Sequence, residues 1–177
     1  QDIYQPGLSL GPADVYGDLP ARAPQEPSGP SFQVQYRRLA GGPRDGVDVV
    51  DIHNGRCRVS VLPTRGMGLW KVECDGVPLT WQSPVSGPVH PKLVPLMEPG
   101  GLGWLSGFDE LLCRCGLESN GPPLFDAEGR LTHPLHGRLA NTPAEKVTLA
   151  FDAEREGITL TGEVTEDRLF HNSLRLQ

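Results

Sequence analysis

The chain has 177 residues, of which 22 are Gly and 18 are Pro, and 37% of its residues are hydrophobic. Gly and Pro at about twice their usual share interrupt helices, which excludes a helical bundle, a coiled coil or a helical repeat. No apolar run is long enough to span a membrane, and a net charge of −6 argues against nucleic acid as a partner.

Residues 1–31 are predicted to form an extended arm that wraps over a surface or is partly loose. Six prolines lie between Gln5 and Pro30. Proline fixes φ and lacks the N–H that an inner strand donates, so this segment does not fit inside a sheet. We therefore divide the chain into an arm, residues 1–31, and a β domain, residues 32–177.

Short strands joined by tight turns are predicted from residue 32 onwards. Asn54-Gly55, Asp75-Gly76 and Glu156-Gly157 each separate two strand-like runs, and Asn-Gly or Asp-Gly favours a type I′ hairpin turn. The pattern indicates an all-β fold, an antiparallel sandwich or barrel. The predicted strands span 32–39, 47–53, 56–62, 68–74, 77–81, 146–152, 157–164 and 169–176, and the one helical turn expected in the middle of the chain spans 107–112.

The last predicted strand reaches the end of the sequence without a closing turn. A strand at the edge of a sheet leaves backbone groups unpaired, and natural proteins usually avoid this. We therefore expect the chain to be the N-terminal part of a longer sheet, with this edge covered by its other half or by a partner subunit.

Four cysteines, Cys57, Cys74, Cys113 and Cys115, lack the CxxC spacing of a zinc ribbon. We interpret them as small buried hydrophobic side chains, and in a strand Cys113 and Cys115 would point the same way. The N-terminus lacks the layout of a signal peptide, so a cytoplasmic location is the default, although a mature, cleaved chain would look the same.

The segment Leu135-His136-Gly137-Arg138 is the strongest candidate for ligand contact. A glycine directly after the histidine lets a ligand approach the backbone, and Arg138 offers a forked donor for hydroxyl or carboxylate oxygens. A core histidine beside a surface ion pair is the alternative. Arg65, before a Gly-x-Gly segment, either points into a cleft or lies in a solvated turn.

Two further patterns have competing interpretations. His90, His133 and His136 lie near irregular backbone and could together bind a metal as in a cupin, but the spacing of His133 and His136 departs from the cupin pattern. Trp81, Trp104 and Phe108 could form an apolar floor for a sugar ring, or belong to the core. The glycines from 100 to 107 lack the spacing and the following Gly-Lys of a nucleotide-binding loop.

Six short motifs between Arg65 and Arg138 occur in the same order as in a known family. The chain resembles the bacterial aldose 1-epimerase-like, or galactose mutarotase-like, proteins classed as a domain of unknown function. The resemblance covers roughly residues 45–177, and Gly68 stands where that family more often has Asp. The matching motifs are Arg65-Gly66-Met67, Trp81-Gln82-Ser83-Pro84, His90-Pro91, the 101–108 segment, Cys115-Gly116-Leu117 and Leu135-His136-Gly137-Arg138.

The resemblance implies a β-supersandwich, of which this chain is an incomplete part, with a sugar bound on its concave face. It implies that His136 contacts the sugar, and that the catalytic acid and base come from a second half beyond Gln177. Glu118 is a weak local candidate for catalysis, with a solvated turn residue as the alternative. The other expected substrate-binding residues, near His136, are Arg138, Arg65, Trp104 and Asp109.

The function expected from this resemblance is the interconversion of sugar anomers by acid–base ring opening, with an aldose as ligand and without a metal or other cofactor. A non-catalytic sugar-binding or assembly subunit is the first alternative, and a cupin-like metal-dependent enzyme is the second. By itself, the 177-residue chain is expected to show no epimerisation above the buffer rate, because the resemblance assigns the acid and base to residues outside it.

Overall fold

The computed structural model describes residues 32–152, 157–169 and 173–177. The predicted arm, residues 1–31, lies outside these ranges. The described strands form three antiparallel sheets of five, three and two strands. In chain order they are β1 (Gln33–Arg38), β2 (Asp48–His53), β3 (Cys57–Leu62), β4 (Gly68–Cys74), β5 (Val77–Pro78), β6 (Leu124–Phe125), β7 (Leu131–His133), β8 (Glu145–Asp152), β9 (Gly157–Glu166) and β10 (Leu174–Leu176).

The first sheet is a meander in the order β1-β2-β3-β4-β5, as the hairpin turns predict. Gly55 and Gly76 both have positive φ in the turns that join β2 to β3 and β4 to β5, a conformation that glycine adopts without steric cost. Strand β5 is shorter than the predicted strand over 77–81. The face directed into the domain carries one hydrophobic cluster, formed by Val47, Val49, Leu62 and Trp70 with Leu39 packed against it.

The second sheet has the order β10-β9-β8, so that β10 forms one of its edges. Leu174, Arg175 and Leu176 pair with β9; residues 170–172 of the predicted strand over 169–176, and residue 156 of the predicted turn, lie outside the described residues. A second cluster packs on this sheet and consists of Leu139, Ala144, Val147 and Val164, with Met67, Leu117 and Leu160 at its margin.

The segment between the two larger sheets is mostly irregular and contains the short hairpin β6-β7. Short 3-10 turns occur among the described residues at Gly42–Arg44, Pro63–Arg65, Pro91–Leu93, Gly103–Ser106 and Leu139–Asn141. None of the described helices has the length and hydropathy to cross a membrane.

The helical turn predicted over 107–112 is wrong, because the turn lies earlier, at Gly103–Ser106. Backbone groups of the residues that follow form hydrogen bonds with other segments. The carbonyl oxygen of Phe108 accepts a hydrogen bond from Ser83, that of Glu110 accepts one from Trp81, and the amide of Leu111 donates to Leu69. These tertiary hydrogen bonds replace the intrahelical ones.

The prediction that all four cysteines are buried hydrophobic side chains is also wrong. Cys57 and Cys74 are register partners on β3 and β4 and form a disulfide. Cys113 is exposed and Cys115 is half-buried. Structural disulfides persist mainly in oxidising compartments, which weighs against the default cytoplasmic location; the location itself stays a prediction.

Candidate functional site

The candidate site is built where the 113–118 segment lies beside the 134–139 segment. Gly116 and Gly137 form a parallel β-bridge, in which the Gly116 amide donates to the His136 carbonyl oxygen at 3.1 Å and the Arg138 amide donates to the Gly116 carbonyl oxygen at 2.9 Å. A Cβ on Gly137 would lie 2.5 Å from the carbonyl oxygens of Gly116 and Ser119. Glycine at 137 is therefore a packing requirement of the site.

His136 lies at the centre of this arrangement in a left-handed backbone conformation, with φ of 58°. Its half-buried ring meets the ring of Trp104 edge-on, with 4.7 Å between the ring centroids. Its Nδ1 atom lies 3.2 Å from Sγ of Cys115. The alternative of a core histidine surrounded by aliphatic side chains does not describe these neighbours.

An aromatic row extends from His136 towards the surface. Trp104 stacks on Phe108 at 4.4 Å and 22°, and Phe108 contacts Trp81 at 5.5 Å. Trp104 is only 4% exposed, whereas Trp81 is 46% exposed. Sequence reasoning proposed these three residues as an apolar floor, and the structure places them side by side with the buried end against His136.

Arg138 follows His136 by two residues and carries the guanidinium of this motif. The contact described for its guanidinium is a weak one, from Nη2 to Sδ of Met97 at 3.8 Å. Among the described residues, no carboxylate forms an ion pair with Arg138. The ion-pair alternative for this residue is therefore wrong within that part of the chain.

Arg65 is instead an internal residue and is 1% exposed. Its Nε donates to Oε1 of Glu110 at 2.6 Å, and its Nη1 donates to the Val89 carbonyl oxygen at 2.7 Å and to Oδ1 of Asn141 at 3.1 Å. The solvated-turn alternative is therefore wrong. The expected contact between Arg65 and a sugar stays a prediction. In the structure, the hydrogen bonds of Arg65 join three segments beneath the site.

Asp109 is half-buried, and its Oδ2 accepts a hydrogen bond from Nε1 of Trp70 at 2.8 Å. Desolvation by burial raises the pKa of this carboxyl, and the hydrogen bond from Trp70 opposes the rise. Its side chain also packs closely against Gly87, where a Cβ would lie 2.6 Å from Oδ2. The structure thus places Asp109 against the first sheet, and its expected role in sugar binding is untested.

Glu118 belongs to a separate polar cluster. Its carboxylate lies 2.5 Å from Nη2 of Arg168 and 3.7 Å from Nε2 of His133. The amides of Leu117 and Glu118 donate to the carboxylate of Glu166, both at 3.3 Å. Glu118 is exposed and lies in a bend, so its ion pair with Arg168 is compatible with a solvated turn residue; its weak candidacy for catalysis is untested.

The proposed trio His90, His133 and His136 does not form a metal site. Nδ1 of His90 accepts a hydrogen bond from the Lys92 amide at 3.1 Å. Desolvation is the main cause of the lowered pKa of His90. Within the described ranges, the one group of His, Cys and acidic side chains with metal-binding spacing is Cys113, Cys115 and His136. The C-x-C spacing of Cys113 and Cys115 gives no zinc signal in the sequence, because zinc ribbons carry CxxC pairs.

A cleft of about 280 Å³ lies elsewhere, on the outer face of the five-stranded sheet. Arg37 and Asp51 form an ion pair across it at 2.7 Å, and Ser60 donates to Asp51 at 2.5 Å. None of the expected sugar contacts lines this cleft. Its lining consists of Gln35, Arg37, Asp51, Arg58, Ser60, Lys71 and Glu73.

Comparison with known proteins agrees with the motif order. A family model described as a domain of unknown function, DUF4432, matches residues 44–177. The crystal structure of a "putative aldose 1-epimerase" from Klebsiella pneumoniae subsp. pneumoniae MGH 78578 is 36% identical, with a TM-score of 0.74 over 82% of this chain. The chain spans 38% of that protein's length. No curated protein matches. The likeness confirms the predicted resemblance and the all-β, antiparallel epimerase-like fold.

Proposed function

The chain belongs to the DUF4432 family, and from that premise we propose that it forms part of a sugar-binding β-sandwich of the aldose 1-epimerase-like superfamily. The observation on which the proposal rests is the aromatic row Trp81, Phe108 and Trp104, which ends edge-on at His136. The similarity to a solved epimerase-like structure supports it.

The aromatic row and the neighbouring polar side chains suit the apolar C–H face and the hydroxyl groups of a sugar. The C–H groups on one face of a sugar ring pack on an aromatic surface, and the exposed end of the row at Trp81 is accessible to such a ring. The hydroxyl groups need directional partners. His136, at the buried end of the row, and Arg138, two residues further along the chain, offer ring nitrogens and a forked guanidinium for them.

For the whole protein we propose anomer interconversion by acid–base ring opening. A base removes the proton of the anomeric hydroxyl while an acid delivers a proton to the ring oxygen, so that the bond between the anomeric carbon and the ring oxygen breaks and an open-chain aldehyde forms. Rotation and reversal of these steps give the other anomer. In this scheme His136 holds the sugar, and residues outside this chain supply the acid and base.

Titration with galactose and glucose, followed by NMR of the protein, tests the binding proposal. We use His136→Asn for the test, because Asn adopts positive φ more readily than Ala. The variant is expected to lose about 1–3 kcal/mol of binding free energy, the range for leaving polar partners unpaired. His53→Asn, on β2, is the matched control and should bind normally. Equal binding by wild type and His136→Asn would contradict the proposal.

Exchange NMR of the anomers separates catalysis from binding. If a protein that covers the full length of the solved relative binds sugar but leaves the anomer exchange rate at the buffer value, the non-catalytic subunit replaces the epimerase proposal. If it accelerates exchange, the epimerase proposal stands. His136→Asn should then slow exchange mainly through weaker sugar binding, because its role is contact with the sugar.

A further inference from the structure

Three soft or borderline metal ligands converge beside the sugar site. Sγ of Cys113 lies 3.9 Å from Sγ of Cys115, and Sγ of Cys115 lies 3.2 Å from Nδ1 of His136. The three ligand atoms all lie within 4.8 Å of one another. We propose that Cys113, Cys115 and His136 bind a thiophilic divalent cation, Zn²⁺, at a site that shares His136 with the sugar.

The separations agree with the geometry that zinc requires. Zn–S bonds of about 2.3 Å and Zn–N bonds of about 2.0–2.1 Å in a tetrahedral centre place two sulfurs about 3.8 Å apart, and a sulfur and a nitrogen about 3.6 Å apart. The distances of 3.9 and 3.2 Å differ from these values by a few tenths of an ångström. The third pair, Cys113 Sγ and the His136 ring nitrogen, lies within 4.8 Å, so binding of the ion requires a side-chain rotation that brings these two atoms closer.

The backbone that presents the ligands is already fixed. Arg114, between the two cysteines, turns to the opposite side, where Nη1 donates to the Gly66 carbonyl oxygen at 2.6 Å and Nη2 donates to Glu110 at 3.0 Å. This anchor leaves both sulfurs on the side that faces His136. The Gly116–Gly137 bridge joins the two ligand-bearing segments. Binding a metal therefore orders little additional chain.

Zn²⁺ is the ion that this donor set fits best. Thiolate with imidazole selects zinc over magnesium, calcium and manganese, which prefer oxygen ligands. Two Cys and one His are three protein ligands, a number that leaves the fourth tetrahedral position for water or a substrate oxygen. Because the thiolate rather than the thiol is the ligand, binding of the ion at the two cysteines releases thiol protons.

Metal ligation would also define what His136 offers a sugar. With Nδ1 on the metal, the neutral ring carries its proton on Nε2 and acts there only as a donor. Without the metal, either tautomer is open to the ring. The metal site is thus a property additional to the proposed sugar binding, and it can be tested in the absence of any sugar.

The experiment is a titration of the reduced chain with Zn²⁺ alone, in competition with a chromogenic chelator, and with Co²⁺ as a spectroscopic substitute. We expect one equivalent of Zn²⁺ to bind, and Co²⁺ to give a thiolate-to-metal charge-transfer band. Cys113→Ser, Cys115→Ser and His136→Asn should each weaken Zn²⁺ binding by about tenfold or more, since even outer-shell partners of metal ligands cost 10–100-fold.

Two controls separate this site from other ligands in the chain. His90→Gln should bind Zn²⁺ like wild type, because His90 lies outside the cluster. The Cys57→Ser/Cys74→Ser double variant should also bind normally, which excludes a contribution from the reduced disulfide pair. Absence of stoichiometric binding by the wild type would overturn the proposal. So would binding that survives the Cys113→Ser/Cys115→Ser double variant, whatever the result of the sugar titration.

Discussion

Replacing Glu110 by Gln removes the negative charge from a buried network of two arginines. Glu110 is fully buried, and Arg65 is 1% exposed. Oε1 of Glu110 accepts hydrogen bonds from Arg65 at 2.6 Å and from Arg114 at 3.0 Å, and Oε2 accepts one from the Asp109 amide at 3.1 Å. Gln has one acceptor oxygen for these three donors, so its NH₂ group must face an N–H donor.

The expected cost follows from this loss. Removing one partner of a buried ion pair destabilises a protein by about 3–5 kcal/mol, because the remaining charge stays buried without compensation. Burial already lowers the pKa of Arg114, and its interaction with Glu110 opposes this effect. In a chain of this size each kcal/mol shifts Tm by about 2–4 °C. We therefore expect Glu110→Gln to lower Tm by roughly 10 °C.

Urea denaturation and a thermal scan of both variants provide the assay. The matched control is Asp75→Asn, which breaks the exposed ion pair between Asp75 and Arg56, at 57% and 78% side-chain exposure. Asp75 has φ of 50°, which Asn tolerates, so this variant should keep the wild-type midpoint. Equal midpoints for Glu110→Gln and Asp75→Asn would refute the argument that burial makes the Glu110 network costly to break.

Two further predictions concern stability. The Cys57→Ser/Cys74→Ser variant lacks the disulfide, which closes a loop with a sequence separation of 17, and its free energy of unfolding should be lower by about 3 kcal/mol. Reduction of the wild type should cause the same loss in urea denaturation. If neither change lowers the free energy of unfolding, the prediction is wrong. The pKa of His90 is lower in the folded state than its ordinary value of 6.5. As the pH falls below 6.5, His90 therefore takes up a proton in the unfolded chain before it does so in the folded one. The free energy of unfolding should decline over this range, down to the folded pKa. Thermal scans against pH should show a weaker decline in His90→Gln, and identical profiles would argue against this origin.

Most of the local architecture of this protein follows from patterns of neighbouring residues in its sequence. Strands β2, β3 and β4, which flank Asn54-Gly55 and lead into Asp75-Gly76, have nearly the predicted bounds, because turn chemistry and alternation act over a few neighbouring residues. The Leu-His-Gly-Arg motif was recognisable for the same reason. Its glycine is fixed by a close approach to the backbone of Gly116, and short motifs with such a requirement are visible in one sequence.

Contacts between residues that are distant in the sequence became visible in the folded domain. Arg65 and Glu110 are 45 positions apart, and Cys115 and His136 are 21 apart. Contacts at such separations depend on how the sheets pack, so the sequence pattern assigned Arg65 to a cleft or a turn. The same packing paired Cys57 with Cys74 across β3 and β4 and turned Cys113 and Cys115 towards His136. Composition and spacing do not encode these contacts, because they arise when separate segments bury their apolar faces against one another.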